Sequence, residues 1–241
     1  MNRLPYITAV ISAAGRGSRM GFPRNKLMIC LEGQTILERT LHQLEACAMI
    51  RAFVIVIRPD DKEQVEAEIL PRVFPKEDRP IVLVTGGETR EDSTWQGINA
   101  APKETQVILY HDGARPFVKP VTVGQTIQTL LENPVDGAIC VVPVKDTIKM
   151  VDNRGFVETT PQRSSLFAVQ TPQVFWKKSL LAAYKKARSE HISTTDDSQI
   201  VEIFGGTIRT VTGDYENIKI TTRDDLTLGQ MIIRKREQGN D

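Results

Sequence analysis

The chain has 241 residues and a mass of 27.0 kDa, which suffices for one large domain or at most two small ones. Its 31 lysines and arginines balance 30 aspartates and glutamates, so the net charge of +1 argues against a general binding surface for nucleic acid or anionic membranes. We find no apolar run of the roughly 20 residues that a membrane helix needs, no signal-peptide pattern and no C-x-x-C pair. We therefore expect a cytoplasmic protein without a disulfide framework or a cysteine-based zinc site.

Short apolar runs alternate with helical patterns along the chain. The runs suit strands buried on both faces of a parallel sheet and cover 7–11, 53–57, 81–84, 107–110 and 138–142. Helices are predicted from a capping box at Thr35 and Glu38 and over 61–70, 91–101, 121–131, 176–188 and 224–236. This alternation predicts an α/β fold with a doubly wound, mostly parallel, Rossmann-like sheet.

The alternation breaks after the fifth apolar run. Two strand patterns, 147–151 and 156–159, flank the turn signal Asp152-Asn153-Arg154-Gly155. A two-stranded hairpin is marginally stable alone, so we expect a second subunit to pack against it. The prediction is therefore a single domain over 1–241, with 144–170 as an extended β-hairpin arm for dimerisation.

A basic loop follows the first apolar run. The small residues of Ser12-Ala13-Ala14-Gly15-Arg16-Gly17 let backbone amides approach a phosphate, although a plain tight turn gives the same pattern. A dinucleotide-binding motif needs a third glycine where Met20 stands, and the P-loop pattern G-x-x-x-x-G-K-[ST] is absent. The four loop cations suit the roughly four negative charges of a nucleoside triphosphate better than they suit NAD. These cations are Arg16, Arg19, Arg24 and Lys26.

Seven segments in order along the chain carry a more specific resemblance. They are Ala13-Ala14-Gly15-x-Gly17-x-Arg19-Met20 with Lys26, Gly86-Gly87-Glu88-Thr89-Arg90-Glu91-Asp92-Ser93, His111-Asp112-Gly113-Ala114-Arg115-Pro116, Pro143-Val144-Lys145-Asp146-Thr147-Ile148-Lys149, Thr171-Pro172-Gln173, Thr195-Asp196-Asp197 and Asn217-Ile218-Lys219. Together they resemble the signatures of the 2-C-methyl-D-erythritol 4-phosphate cytidylyltransferase family, within the sugar- and polyol-phosphate nucleotidyltransferases. Two departures stand out: Asn25-Lys26-Leu27-Met28 replaces the frequent P-K-Q-Y, and Gly113 replaces the usual alanine of H-D-A-A-R-P.

The resemblance implies transfer of CMP from CTP to 2-C-methyl-D-erythritol 4-phosphate. The acceptor phosphate would attack the α-phosphorus in line, releasing pyrophosphate and forming 4-diphosphocytidyl-2-C-methyl-D-erythritol for non-mevalonate isoprenoid synthesis. A phosphate monoester has a second pKa of about 6, so this nucleophile is anionic at neutral pH and needs no general base. The reaction needs cations, backbone amides and a divalent metal instead.

The resemblance also assigns roles to residues of this chain. The expected catalytic cations are Arg19, Lys26 and Lys219, and the expected ligand of Mg²⁺ or another divalent cation is Asp112, which follows a predicted strand. The expected nucleotide-binding residues are Ala13, Ala14, Gly15, Gly17, Gly87, Glu88, Arg90 and Ser93. The expected acceptor-binding residues are Arg115, Thr147, Arg163, Thr171 and Lys219, with Arg163 reaching from the arm into the partner's site of a homodimer.

Simpler interpretations stay open at this point. Asp112 is also a typical turn or helix-cap residue, Ser93 suits the first turn of a helix, and Lys219 suits a strand end where its stem packs on apolar surface. The acceptor could equally be another polyol phosphate such as ribitol 5-phosphate. From a different class, the fold could serve as a nucleotide-binding regulatory module without turnover.

Overall fold

A computed structural model describes residues 4–15, 25–76 and 78–239 of the chain. The strands are β1 Ile7–Ser12, β2 Cys30–Leu31, β3 Gln34–Thr35, β4 Ile50–Ile57, β5 Ile81–Thr85, β6 Val107–Asp112, β7 Gly137–Pro143, β8 Met150–Val151, β9 Val157–Thr159, β10 Phe167–Trp176 and β11 Ile208–Thr212. The helices are α1 Ile36–Glu45, α2 Lys62–Gln64, α3 Leu70–Val73, α4 Arg90–Ala100, α5 Pro120–Glu132, α6 Lys177–Ser189, α7 Asp197–Ile203 and α8 Arg223–Glu237. No helix in the described ranges is both long enough and apolar enough to cross a bilayer.

Seven strands form the central sheet in the order β11-β7-β10-β6-β1-β4-β5. Every neighbouring pair is parallel except those made by β10, which runs antiparallel to both β6 and β7. From β1 the chain proceeds outward through β4 to the edge strand β5, and then returns to β6 on the other side of β1. The carboxyl ends of β1 and β6 therefore meet at a switch point, where open α/β sheets bind ligands.

Alternate residues of the central strands pack into two separate apolar cores. In β4, Phe53 and Ile55 face one core, and Val54 and Val56 face the other. Helices α1, α5 and α8 cover the first core, whereas α4, α6 and α7 cover the second. This three-layer arrangement confirms the predicted doubly wound α/β fold with a mostly parallel sheet.

The helix predicted over 61–70 is less regular than its pattern suggests. After a 3-10 turn at Pro59–Asp61 and the short α2, the chain forms one turn of π-helix over Val65–Ile69 before α3. Pro71 follows that turn and has no N–H to continue an α-helical ladder, which explains the wider turn. The predicted capping box, by contrast, is present: the Thr35 side chain accepts from the Glu38 N–H at 3.1 Å, and the Thr35 N–H donates to the Glu38 carboxylate at 3.4 Å.

Strand β10 is the main element that the sequence pattern did not predict. It lies in the middle of the sheet, yet Pro172 and three polar neighbours interrupt its apolar pattern. Three β10 residues, 170–172, face the single Cys140 of β7, so this part of the strand bulges toward the carboxyl end of β6. Residues 167–170, which the prediction counts in the arm, belong to β10 because 167–169 pair with β7. Strand β11 and helix α7 were not predicted either.

The arm itself is a small separate sheet of β8 and β9, in which Met150 pairs with Thr159. Its apolar side chains project into solvent in the single chain: Phe156 is 66% exposed, and Val151 and Val157 are more than half exposed. The single chain therefore leaves most of the apolar surface of this hairpin exposed.

Candidate active site

Asp112 ends strand β6 at the switch point, level with Ser12 at the end of β1. Its carboxylate Oδ2 lies 3.0 Å from Lys219 Nζ and 3.4 Å from Arg115 Nε. Burial acts to raise the pKa of Asp112, but the charges of Lys219 and Arg115 outweigh burial and hold that pKa below its ordinary value. Burial also lowers the pKa of Arg115, although a guanidinium stays charged. One carboxylate between two cations gives these three side chains a net positive charge, which favours binding of a phosphate.

Main-chain contacts hold the segment that carries Lys219 against the end of β6. The Ile220 N–H donates to Ala114 O at 2.9 Å. Arg115 Nη1 donates to Asn217 O at 2.7 Å. Lys219 therefore lies close to Asp112 only because the chain folds back from a distant position in the sequence.

Lys26 approaches this segment from the β1 side. It opens a short 3-10 turn over Lys26–Met28, and its Nζ donates to Ile220 O at 2.7 Å. Lys26 is thus anchored on the residue that follows Lys219, while Lys219 Nζ itself contacts Asp112. Two cations fixed in this way can hold one polyanion between them.

Thr171 connects β10 to Asp112 and to a buried histidine. Its Oγ1 accepts from the Asp112 N–H at 3.0 Å. Because Arg115 O can only accept, the neutral His111 ring is protonated at Nε2, and the Thr171 hydroxyl donates to the unprotonated Nδ1 at 3.1 Å. His111 Nε2 donates to Arg115 O at 3.2 Å. Burial lowers the pKa of His111 to about 4. His111 is therefore a neutral structural link, and Thr171 has its hydrogen already engaged.

The loop between β5 and α4 is closed by Ser93. The Gly87 N–H donates to Ser93 Oγ at 3.0 Å, and Ser93 Oγ donates to Thr89 O at 2.9 Å. A Cβ on Gly86 would lie only 2.4 Å from Ala14 Cβ, so protein packing already requires glycine there. The Ser93 hydroxyl has no second proton to give and can act toward a ligand only as an acceptor.

Arg90, at the start of α4, is held in place by a residue for which no role was predicted. Its Nη2 donates to Asp197 Oδ2 at 2.6 Å, and its guanidinium lies 5.3 Å from the centroid of the Tyr110 ring. Asp197 is fully buried, and its other oxygen accepts from the Tyr184 hydroxyl. The Thr195-Asp196-Asp197 segment was part of the motif match, which was the one sequence signal for this contact.

Two cavities adjoin at these residues. The first cavity, of about 400 Å³, is bordered by the predicted residues Ala14, Gly15, Lys26, Gly87, Glu88, Arg90, Ser93, Asp112 and Lys219. The second cavity, of about 480 Å³, is bordered by the predicted residues Arg90, Asp112, Arg115, Thr171 and Lys219. Arg90, Asp112 and Lys219 therefore form the wall that the two cavities share.

Three of the remaining predicted residues, Ala13, Thr147 and Arg163, lie outside these cavities. Ala13 is fully buried and borders neither cavity. Thr147 and Arg163 are exposed at the arm, outside both cavities, and Arg163 Nη1 donates to Lys145 O at 3.0 Å. Gly17 and Arg19 lie outside the described residues.

Comparisons with known proteins identify relatives of this chain. The family model IspD, 2-C-methyl-D-erythritol 4-phosphate cytidylyltransferase, matches residues 7–235. A protein of that name from Alkaliphilus metalliredigens is 40% identical over 97% of this chain and 95% of its own length. One from Pelotomaculum thermopropionicum is 36% identical over 96% and 95%, respectively.

A solved structure gives the same result. The crystal structure of 4-diphosphocytidyl-2C-methyl-D-erythritol synthase from Anaerococcus prevotii is 35% identical and superposes with a TM-score of 0.85, covering 96% of this chain and 100% of that one. The switch-point site and these likenesses lead to one assignment. The chain belongs to the 2-C-methyl-D-erythritol 4-phosphate cytidylyltransferase family.

Proposed function

We propose that the chain transfers CMP from CTP to 2-C-methyl-D-erythritol 4-phosphate, releasing pyrophosphate and forming 4-diphosphocytidyl-2-C-methyl-D-erythritol. The observation that carries this proposal is the pair of adjoining cavities with a common wall of Arg90, Asp112 and Lys219. A two-substrate transfer requires two compartments that meet where the reacting atoms meet.

CTP occupies the first cavity in this proposal. The β5–α4 loop receives the cytosine, and Lys26 and Lys219 hold the triphosphate. Both lysines border this cavity, and Lys26 is anchored on Ile220 O. Charge that develops on the phosphate oxygens in the transition state is stabilised by these cations together with Arg19.

The acceptor occupies the second cavity. Arg115 and Lys219 bind its phosphate through charge-assisted hydrogen bonds. Thr171 serves as an acceptor for a polyol hydroxyl, because its own proton is committed to His111. A phosphate oxygen then attacks the α-phosphorus of CTP, one new P–O bond forms, and the bond to the pyrophosphate oxygen breaks.

The acceptor phosphate is its own nucleophile in this reaction. With a second pKa of about 6, it is mostly dianionic at neutral pH. The histidine nearest to the site is unsuited to proton transfer, because His111 is buried with both ring nitrogens hydrogen-bonded. Positioning and charge stabilisation therefore account for the rate acceleration.

Asp112 fits a role as the single protein ligand of a divalent cation. Lys219 and Arg115 both contact the same oxygen, Oδ2, so the carboxylate keeps a second oxygen for a metal. Among the described residues there is no group of three His, Cys, Asp or Glu side chains, and Mg²⁺ needs none, since it often binds through one carboxylate, substrate phosphates and water. When bound, the metal supplies neutralising charge to the phosphates.

The arm supports a homodimer in this proposal. Its exposed apolar side chains, including Met150, Val151 and Phe156, need a partner surface to be buried. A second copy of the chain would cover them and bring Thr147 and Arg163 into the partner's second cavity. We place the enzyme in the cytoplasm, where its three free cysteines stay reduced.

A substrate panel tests the proposal. Pyrophosphate release is measured for the full-length protein with four nucleoside triphosphates against several polyol phosphates, with and without Mg²⁺. We expect release with CTP and 2-C-methyl-D-erythritol 4-phosphate. Release with ribitol 5-phosphate instead would move the enzyme to another acceptor, and tight CTP binding without release from any pair would indicate a regulatory module.

A further inference from the structure

The side chain of Asn25 makes three hydrogen bonds although it is only 1% exposed. Its Nδ2 donates to Ala13 O at 3.0 Å and to Asp61 Oδ2 at 2.6 Å. Its Oδ1 accepts from the Leu27 N–H at 3.1 Å. The opposite amide orientation would set Nδ2 against an N–H and Oδ1 against two oxygens, so the network defines the orientation.

The three partners of Asn25 come from three different segments of the chain. Ala13 extends β1 by one residue, and Asp61 ends the 3-10 turn that follows β4. Leu27 lies in the short turn that begins with Lys26, and its side chain is buried. The Asn25 side chain therefore ties the ends of two adjacent strands to the turn that carries Lys26.

This connection fixes the backbone on both sides of Lys26. Asn25 precedes it and is anchored to Ala13 and Asp61, and Leu27 follows it and is bonded to Asn25. A lysine ammonium sits on a flexible four-carbon stem, so its position depends on where its Cα is held. A displacement of about 1 Å at a reacting site can cost about 100-fold in rate.

We propose that Asn25 is a positioning residue for Lys26, and that Asp61 acts through Asn25. Asn25 is also one of the residues at which this chain departs from the P-K-Q-Y pattern of its family, and a proline there would have no side-chain amide. The proposal rests on the proposed function in one respect, since it takes Lys26 to act on the bound triphosphate.

The first test is Asn25→Ala in the full-length protein. We expect kcat to fall by about 10- to 100-fold while the dissociation constant of CTP changes by less than about threefold. The matched control is Thr105→Val, which removes a buried hydrogen bond to Thr8 at the other end of β1. If Thr105→Val lowers kcat as much at equal loss of thermal stability, Asn25 is merely structural and the proposal fails.

The second test combines Asn25→Ala with Lys26→Ala. If Asn25 acts through Lys26, the double variant should have the kcat of Lys26→Ala alone, because the two losses are not additive. If the double variant instead loses kcat by the product of the two single losses, the proposal is overturned. The same comparison isolates the proposed function: if Lys26→Ala keeps wild-type kcat, or if the wild type shows no turnover, the proposed function has failed rather than the Asn25 connection.

A third test covers the case in which Asn25→Ala does not fold, and one of its two readouts needs no turnover. Asn25→Asp places two carboxylates next to each other, at positions 25 and 61. Combining it with Asp61→Asn exchanges the two side chains, so that an amide at position 61 can donate to a carboxylate at position 25. We expect the exchanged pair to recover part of the kcat and of the hydrogen-exchange protection at the Leu27 amide. Recovery of neither quantity, with the exchanged pair folded, would overturn the proposal.

Discussion

The surroundings of Asp112 and the β8–β9 arm both carry residues that the sequence assigns to the acceptor, yet the two regions differ in how far one chain completes them. Arg115 is 12% exposed and is bonded to Asp112 and to Asn217 O. Arg163 is exposed on the arm, next to apolar side chains that are exposed as well. The first region is complete within one chain, whereas the apolar side chains of the second stay exposed in the single chain, and the proposed dimer would bury them.

Loss of Lys26 should have the largest effect on the rate, because it removes a cation from the site around Asp112. We expect Lys26→Ala to lower kcat by about 100- to 1000-fold with a much smaller change in CTP affinity. Single-turnover kinetics and equilibrium CTP titration separate the two quantities. A change in affinity alone would show that Lys26 supplies only ground-state binding.

The arm can be tested by mixing two inactive proteins. If Arg163 acts across subunits, a heterodimer of Arg163→Ala and Lys26→Ala contains one site with both defects and one intact site. Verified heterodimers should then regain about half of the wild-type activity per dimer. Heterodimers without activity would place Arg163 in its own subunit's site, whereas full activity of Arg163→Ala alone would place it outside any site. In either case the contrast between the two regions would disappear.

Lowering the pH should weaken the ion pairs that Asp112 makes with Lys219 and Arg115. Because the pKa of Asp112 is lowered in the folded protein, its stabilising contribution is complete above the unfolded-state pKa of about 4 and is lost as the pH falls further. We expect Asp112→Asn to lower the free energy of unfolding by about 1 to 3 kcal/mol at pH 7. Urea titrations should show this difference shrinking below about pH 4, and a constant difference would contradict the ion pairs with Lys219 and Arg115.

Replacing one glycine in each region by alanine should have the smallest effects and compares the two regions directly. A Cβ on Gly113 would lie 2.9 Å from Ser12 O and 3.1 Å from Leu27 Cδ1, whereas Gly155 in the arm has open space but a φ of +85°. We expect Gly113→Ala and Gly155→Ala each to cost about 1 to 2 kcal/mol in the free energy of unfolding. Only Gly113→Ala should also lower kcat, since it moves the residue next to Asp112. Equal kcat values for both variants would mean that the backbone beside Asp112 tolerates the shift.

The two departures from the family pattern lie side by side in the fold. The chain has Leu27 where the family often has glutamine, and Leu27 Cδ1 would lie 3.1 Å from a Cβ at position 113. The sequence showed both substitutions, but only the fold revealed that they are neighbours.

Regular elements with a clear period could be predicted, and elements built from irregular contacts could not. The apolar runs at β1 and β4 and the capping box of α1 follow from local patterns, which the structure confirms. Strand β10 lies between two other strands but could not be predicted, because Pro172 and its polar neighbours interrupt the apolar pattern. Its polar residues are explained by the site, where Thr171 binds Asp112 and His111.

The net charge of +1 already showed that any binding of polyanions had to depend on a local cluster of cations rather than on the whole surface. The sequence by itself determined the α/β fold class, the order of the central-sheet strands and main helices up to β7, and the set of motif residues, because periodicity and spacing are local properties. Only the tertiary structure decided that Lys219 lies 3.0 Å from Asp112, that Arg90 is held by Asp197, and that Asn25 joins Ala13 to Asp61. Each of these contacts joins distant positions whose separation no local pattern encodes, and packing of the whole sheet brings them together.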